Sequence, residues 1–143
     1  MIRKAREADL IMISKLEKKL FIEPWDYEQF LFELVANPIA NLMVYEKNRQ
    51  VIGYFDYWFS GESIELATIG VASKYQNQGI GEKILKYIEK EAYTNYIHYL
   101  TLEVRISNQA AIALYEKFGF KLERIKKKYY PDGEDAYYMI KEL

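Results

Sequence analysis

The residues of this chain best suited to chemistry begin with Gln76-Asn77-Gln78-Gly79-Ile80-Gly81. This stretch lies between an apolar run, Ile64 to Val71, and a run with helical spacing, Ile84, Leu85, Ile88 and Ala92. A strand-to-helix turn exposes backbone N–H groups at the positive end of a helix dipole, which makes a site for anions and above all for phosphates. Gly79 and Gly81 carry no Cβ, so a ligand can approach the backbone closely. No Lys-Ser or Lys-Thr pair follows the glycines, so the turn is not a P-loop. Ile84 stands where a dinucleotide fingerprint has its third glycine or alanine. A second cluster is Leu100-Thr101-Leu102-Glu103-Val104-Arg105, whose alternation puts Thr101, Glu103 and Arg105 on one face of a strand. Glu103, near the carboxyl end of that strand, is either a solvated strand residue or a general base acting directly or through water. A third cluster opens at Ser107-Asn108, ahead of a helix with an Ala111, Leu114, Phe118 stripe. Asn108 caps that helix or hydrogen-bonds a ligand amide. Tyr115, beside the stripe, belongs to the core or presents its hydroxyl as an acid.

The surrounding elements must bring these clusters together. Ile2 to Arg6 reads as a short strand, and Leu10, Ile13, Leu16 and Leu20 recur at helical spacing up to the break at Pro24. Asp26 and Gln29 form a capping box leading into Tyr27, Phe30, Leu31 and Leu34, and Asn37-Pro38 ends that helix. Two apolar runs, Leu42 to Tyr45 and Val51 to Phe59, flank a polar turn at Lys47-Asn48-Arg49-Gln50. Ser60-Gly61-Glu62 turns into the Ile64 to Val71 strand, and the helix after the glycines runs to about Tyr93. Ile97 to Arg105 is the next strand and Asn108 to Phe118 the next helix, closed by Gly119 as a left-handed cap. Two last strands, Phe120 to Tyr129 and Asp135 to Leu143, are joined through Pro131-Asp132-Gly133. The order is β-α-α-β-β-β-α-β-α-β-β. A right-handed crossover makes the strands starting at Ile64 and Ile97 parallel, and the hairpins are antiparallel. An α/β fold follows, with a mixed sheet, helices on both faces and a ligand site beyond the carboxyl ends of the parallel pair.

Composition narrows the function classes. The chain has 143 residues, half of them hydrophobic, and no repeat or linker, so residues 1–143 read as one domain. A net charge of −1 gives no global attraction to nucleic acid or anionic membrane. Zero cysteines exclude disulfides, thiolate metal sites and a cysteine nucleophile. No apolar run approaches the roughly 20 residues that span a bilayer. The N-terminal residues lack a signal peptide's apolar stretch, so a cytoplasmic protein is expected. His98 is the lone histidine and has no neighbouring ligand set, so no metal is expected. The 14 tyrosines fit a tyrosine-rich core edge or a groove contacting a ligand backbone. Lys126-Lys127-Lys128 reads as a solvated hairpin face, with attraction of an acidic peptide or of a cofactor phosphate as the alternative.

The order Gln-x-x-Gly-x-Gly over 76–81 resembles the acyl-CoA pyrophosphate loop of the GNAT superfamily of N-acetyltransferases. Leu102-Glu103-Val104-Arg105, Ser107-Asn108, Ala110 through Tyr115 and Gly119-Phe120 resemble that superfamily's second conserved block. Pro24-Trp25, Tyr129-Tyr130-Pro131, Glu134-Asp135-Ala136 and Met139 extend the similarity over nearly the whole chain, toward the bacterial ribosomal-protein-alanine N-acetyltransferases. The resemblance implies acetyl-CoA as co-substrate and the N-terminal amine of a protein as acceptor, with an N-terminal alanine of a ribosomal protein preferred. Ile69, Gly70 and Val71 would pair with the pantetheine arm as an added strand would. Asn77, Gln78, Gly79, Ile80, Gly81 and Glu82 would cradle the pyrophosphate, and Asn108 would contact the pantetheine or acyl end. Glu103 would take the amine proton and Tyr115 would protonate the leaving thiolate. Trp25, Tyr129 and Tyr130 are the expected acceptor-binding residues. Glu82 departs from the family, which often has a basic residue there; Lys74 or Lys83 would compensate.

The chemistry agrees with direct transfer, since the chain has neither a cysteine nor a Gly-x-Ser-x-Gly elbow to become acylated. At neutral pH the uncharged form of an α-amine, pKa about 8, costs ~1.4 kcal/mol, against ~4.6 kcal/mol for a lysine at about 10.4. One modest base therefore suits an N-terminal amine better. Two alternatives stand beside this reading: a same-fold enzyme acetylating a polyamine, an aminoglycoside or another small amine, and a CoA-binding sensor without turnover. A monomer or weak homodimer is expected.

Overall fold

The computed structural model describes residues 1–143. Its strands are β1 (Ile2–Lys4), β2 (Ala40–Lys47), β3 (Gln50–Ser60), β4 (Ser63–Val71), β5 (Tyr99–Arg105), β6 (Lys121–Lys126) and β7 (Ala136–Glu142). Its helices are α1 (Leu10–Leu20), α2 (Tyr27–Val35), α3 (Ile80–Thr94) and α4 (Gln109–Lys117). The element order is the expected one. Boundaries move by a few residues: Ile97 lies before β5, and β6 stops at Lys126, leaving residues 127–135 to a long turn.

The seven strands form one sheet in the order β1-β2-β3-β4-β5-β7-β6. Every neighbouring pair is antiparallel except β4 and β5, which α3 joins as a parallel crossover. The β2–β3 turn places Asn48 and Arg49 at φ 51 and 63, the paired left-handed conformations of a tight hairpin. The capping box at α2 forms: Gln29 N–H donates to Asp26 Oδ1 and Asp26 N–H donates to Gln29 Oε1, both at 2.9 Å.

Each face of the sheet carries its own core. Ile80, Ile84, Leu85 and Ile88 of α3, with Ile112 and Tyr115 of α4, pack on Ile64, Leu66, Leu100, Leu102 and Val104. On the opposite face Leu10, Ile13 and Leu16 of α1 and Phe30 of α2 pack on Leu42, Val44 and Tyr54. Each such side chain, fully buried, contributes about 1.5–3 kcal/mol relative to exposure. Burial on both faces explains why β3, with Ile52 to Tyr57 almost entirely buried, shows no clean alternation. No helix is long and apolar enough to cross a membrane.

Candidate functional site

The parallel pair supplies the cleft. β4 and β5 are in register from Ser63 opposite Tyr99 to Leu66 opposite Leu102, and pairing stops there although both strands continue. At that point the register of β4 with β3 also shifts, since Tyr57 faces Leu66 but Asp56 faces Thr68. Ala67 is thus an extra residue, and a bulge of this kind bends its strand away from the neighbour. The opening lies within a cleft of about 1060 Å³. Ala72 N–H donates to Ile52 O at 2.8 Å, so by alternation Gly70 turns its polar groups to β3 while Ile69 and Val71 turn theirs to the gap. Gln76 Nε2 donates to the Val71 carbonyl at 2.9 Å, fixing the turn that follows.

That turn ends the cleft. Asn77 and Gly79 adopt φ 62 and 81, and Gly79 is the N-cap of α3 with no side chain capping it. The first N–H groups of a helix have no partner inside it, so those of Ile80, Gly81 and Glu82 are free for an anion. The two glycines serve different ends. A Cβ on Gly79 would meet nothing within 4 Å, which leaves the space for a ligand. A Cβ on Gly81 would lie 2.9 Å from Leu114 Cδ2, so Gly81 lets α3 approach α4. Gln78 is not among the cleft-lining residues; its side chain donates to the Lys74 carbonyl at 3.2 Å. Glu82 lies at the rim, 3.7 Å from Lys86 one turn on, so Lys86, rather than Lys83, partly offsets its charge. Lys74 and Lys47 sit over the ring of Tyr75 beside the same rim. An extended amide-bearing arm ending in a pyrophosphate fits this combination of free strand edge, open glycine and uncapped helix.

The other end of the cleft is built around Glu103. Its Oε1 accepts from Lys126 Nζ at 2.7 Å and its Oε2 from the Tyr129 hydroxyl at 2.9 Å. Lys126 is therefore no solvated hairpin lysine, contrary to the sequence-based expectation: it is 27% exposed and ion-paired, whereas Lys127 is 78% exposed. β7 lies between β5 and β6, and this order lets β6 deliver Lys126 toward β5. Tyr115 is buried with its ring 5.8 Å from that of Phe120, and burial pushes its hydroxyl pKa up, with Tyr130 adding to the shift. Asn108 caps α4, its Oδ1 accepting from Ala111 N–H at 3.3 Å, while still lining the cleft. Ile69, Gly70, Val71, Asn77, Gly79, Ile80, Gly81 and Glu82 line the same cleft as Glu103 and Tyr115, and so do Trp25, Tyr129 and Tyr130.

Several contributors escaped the sequence reading. Arg105 donates to Asp132 and Glu134 at 2.8 Å and to Glu23 at 3.0 Å, and its guanidinium lies 4.1 Å from the Tyr130 ring. It ties the α1–α2 loop to the β6–β7 turn over the Glu103 end of the cleft. Burial pushes the Tyr130 hydroxyl up to about 12, with Arg105 opposing and Glu103 and Glu134 reinforcing the shift. Glu17 of α1, 3% exposed, accepts from the Tyr54 hydroxyl at 2.6 Å, the Trp25 N–H at 2.9 Å and Thr68 Oγ1 at 3.1 Å. Burial raises its pKa and those bonds oppose the rise. The Trp25 ring stacks on Trp58 at 6.4 Å, and Trp58 Nε1 donates to Glu33 at 2.6 Å. For Glu17, Glu33 and Arg105 the only signal was a charged residue spaced into an apolar helix or strand, which is also what an exposed face looks like.

Residues 9–120 match the Acetyltransferase (GNAT) family. A Bacillus subtilis relative named for alanine N-acetylation of ribosomal protein bS18 is 34% identical over 139 residues, covering 96% of this chain and 92% of its own. An N-alpha-acetyltransferase of Saccharolobus solfataricus is 33% identical over 155 residues, covering 99% and 92%. The crystal structure of the ribosomal-protein-S18-alanine N-acetyltransferase from Escherichia coli superposes with a TM-score of 0.89 at 30% identity, covering all of this chain and 93% of that one.

Proposed function

The chain belongs to the GNAT acetyltransferase family, and on that premise we propose that it transfers the acetyl group of acetyl-CoA to the N-terminal α-amine of a protein, preferentially an N-terminal alanine of a ribosomal protein. One observation carries the reading: the gap between β4 and β5 runs from the uncapped start of α3 to the Glu103 carboxylate, within one cleft. Bound there, acetyl-CoA supplies the activated acyl carbonyl. The polar groups of Ile69 and the N–H of Val71, whose carbonyl Gln76 already engages, hold the pantetheine arm as a further strand would, and the N–H groups of Ile80, Gly81 and Glu82 take the pyrophosphate. Asn108, which lines the cleft while capping α4, contacts the pantetheine or the acyl end.

The remaining roles are proton transfers. Glu103 accepts the proton of the α-amine through water, and Lys126 and Tyr129 hold its carboxylate in one orientation. Tyr115 donates to the departing sulfur; its burial keeps the hydroxyl protonated until that moment. Trp25, Tyr129 and Tyr130 border the acceptor end, and the names of the bacterial and archaeal relatives support a protein N-terminus there. The test is thiol release from acetyl-CoA with peptides beginning Ala or Ser, run beside a panel of polyamines and aminoglycosides. Release with peptides alone is expected. Turnover confined to the small amines would replace the acceptor, and CoA binding without turnover on any amine would leave a sensor.

A further inference from the structure

Glu103, the carboxylate assigned to the proton, has both oxygens occupied, one by Lys126 and one by Tyr129. A second carboxylate lines the same cleft with no such partners. Glu65 stands on β4 opposite Thr101 of β5, in the last paired stretch before the strands part. Paired residues of neighbouring strands share a face and alternate residues return to it. Glu65 is therefore on the face of Thr101 and Glu103, diagonal to Glu103, and away from Ile64 and Leu66, which pack under α3. Across β3 it faces Trp58, whose ring stacks on Trp25. No hydrogen bond reaches the Glu65 carboxylate; only Glu103 and Lys126 act on it electrostatically, and burial, with Glu103 second, raises its pKa. A half-buried acid without a donor, beside an aromatic wall, is matched to an incoming cation that brings its own N–H groups.

We propose that Glu65 is the carboxylate that receives the α-ammonium of the acceptor, a specificity residue separate from the proton acceptor Glu103. The assignment rests on the N-terminal acceptor proposed above and deepens it. The ammonium docks on Glu65 against the Trp58–Trp25 wall, and its proton then leaves toward the neighbouring Glu103. Other charged groups around the position are committed elsewhere. Glu17 of α1 is held by Tyr54, Thr68 and Trp25, Glu33 of α2 by Trp58 and Asn37, Lys126 of β6 by Glu103, and Arg105 of β5 by three carboxylates. Asp56, two residues from Trp58 on β3, is fully buried beside Glu33 and out of reach of an incoming chain. Glu65 thus offers the cleft a carboxylate that no hydrogen-bond donor holds.

The experiment is steady-state acetylation of an Ala-starting peptide by wild type, Glu65→Gln, Glu65→Asp and Glu103→Gln, at about pH 6.5 and about pH 9, on either side of an α-amine pKa of about 8. At the lower pH, Glu65→Gln is expected to raise the peptide KM about tenfold or more with little change in kcat, as for a lost hydrogen bond between charged groups. Glu65→Asp keeps most of the affinity, and Glu103→Gln acts on kcat instead. At the higher pH the KM difference shrinks, because the acceptor is mostly uncharged. A desamino peptide used as competitive inhibitor binds wild type and Glu65→Gln alike, and calorimetry gives the same CoA affinity for both. An unchanged KM, or a rise equal at both pH values or shared by the desamino peptide, overturns the role of Glu65 while leaving the acceptor class intact. Failure of the wild type to acetylate any peptide overturns the acceptor class, and the role of Glu65 falls with it.

Discussion

Both oxygens of the Glu103 carboxylate are held by the last hairpin, one by Lys126 and one by Tyr129. Alternation from Leu100 to Arg105 put Glu103 on the correct strand and face, but nothing in Lys126-Lys127-Lys128 distinguished the one lysine that reaches it. That contact depends on β6 and β7 exchanging places in the sheet, a choice of tertiary pairing. Glu103→Gln is expected to lower kcat about 10²-fold near neutral pH, the lower end of acid–base contributions, and less as pH rises and the amine loses its charge unaided. Steady-state rates across pH check this. Tyr115→Phe removes a hydroxyl that no protein donor or acceptor engages. It is expected to slow the single-turnover step with the calorimetric affinity for CoA and the melting temperature close to wild type, since the ring contact with Phe120 is retained. Alternation places Arg105 on Glu103's side of β5 and says no more, because its bonds to Glu23, Asp132 and Glu134 join segments too far apart in the chain for any local pattern to reveal.

At the scale of elements, strong periodicity and caps were readable, and irregularities were not. The Asp26–Gln29 box and the apolar stripe of α3 appear where the sequence puts them. The bulge at Ala67 has no signature, because alanine neither favours nor marks an extra residue; yet it coincides with the point where β4 leaves β5. The glycines allow a direct comparison. Gly70→Ala places a Cβ 2.5 Å from the ring and hydroxyl of Tyr54, which is fully buried and hydrogen-bonded to Glu17. Overpacking of this kind costs about 1–3 kcal/mol. Gly81→Ala meets only the tip of Leu114, a flexible side-chain end that can yield, and alanine gains about 0.8–1 kcal/mol of helix propensity over glycine. Urea unfolding is expected to show Gly70→Ala clearly destabilised and Gly81→Ala near wild type.

For the whole molecule, the two cores on opposite faces were legible as amphipathic helices around a mixed sheet. The polar groups sealed between α2 and β3 were not. Asp56 is 0% exposed; Oδ1 accepts from Asn41 N–H at 3.2 Å, while Oδ2 has no donor. Burial, and after it the adjacent Glu33, push its carboxyl up to about 9. Its unfolded value is about 3.9, so between there and about 9 the folded protein holds a proton that the unfolded chain has released, and stability falls as pH rises through that window. Glu17, also raised by burial, acts in the same direction. The melting temperature is therefore expected to be lower at about pH 8 than at about pH 5.5, and Asp56→Asn, which carries its own donor, should flatten that slope.

Only four residue pairs, Ser63–Tyr99 to Leu66–Leu102, hydrogen-bond the first four strands to the remaining three. The sheet is like a zipper left half undone, and a ligand lying in it acts as a temporary tooth. Occupancy should then report on mechanics as well as chemistry. Amide protons of Ile69 and Val71, open to solvent exchange without CoA, are expected to slow when it is present, and the halves should melt more nearly as one body.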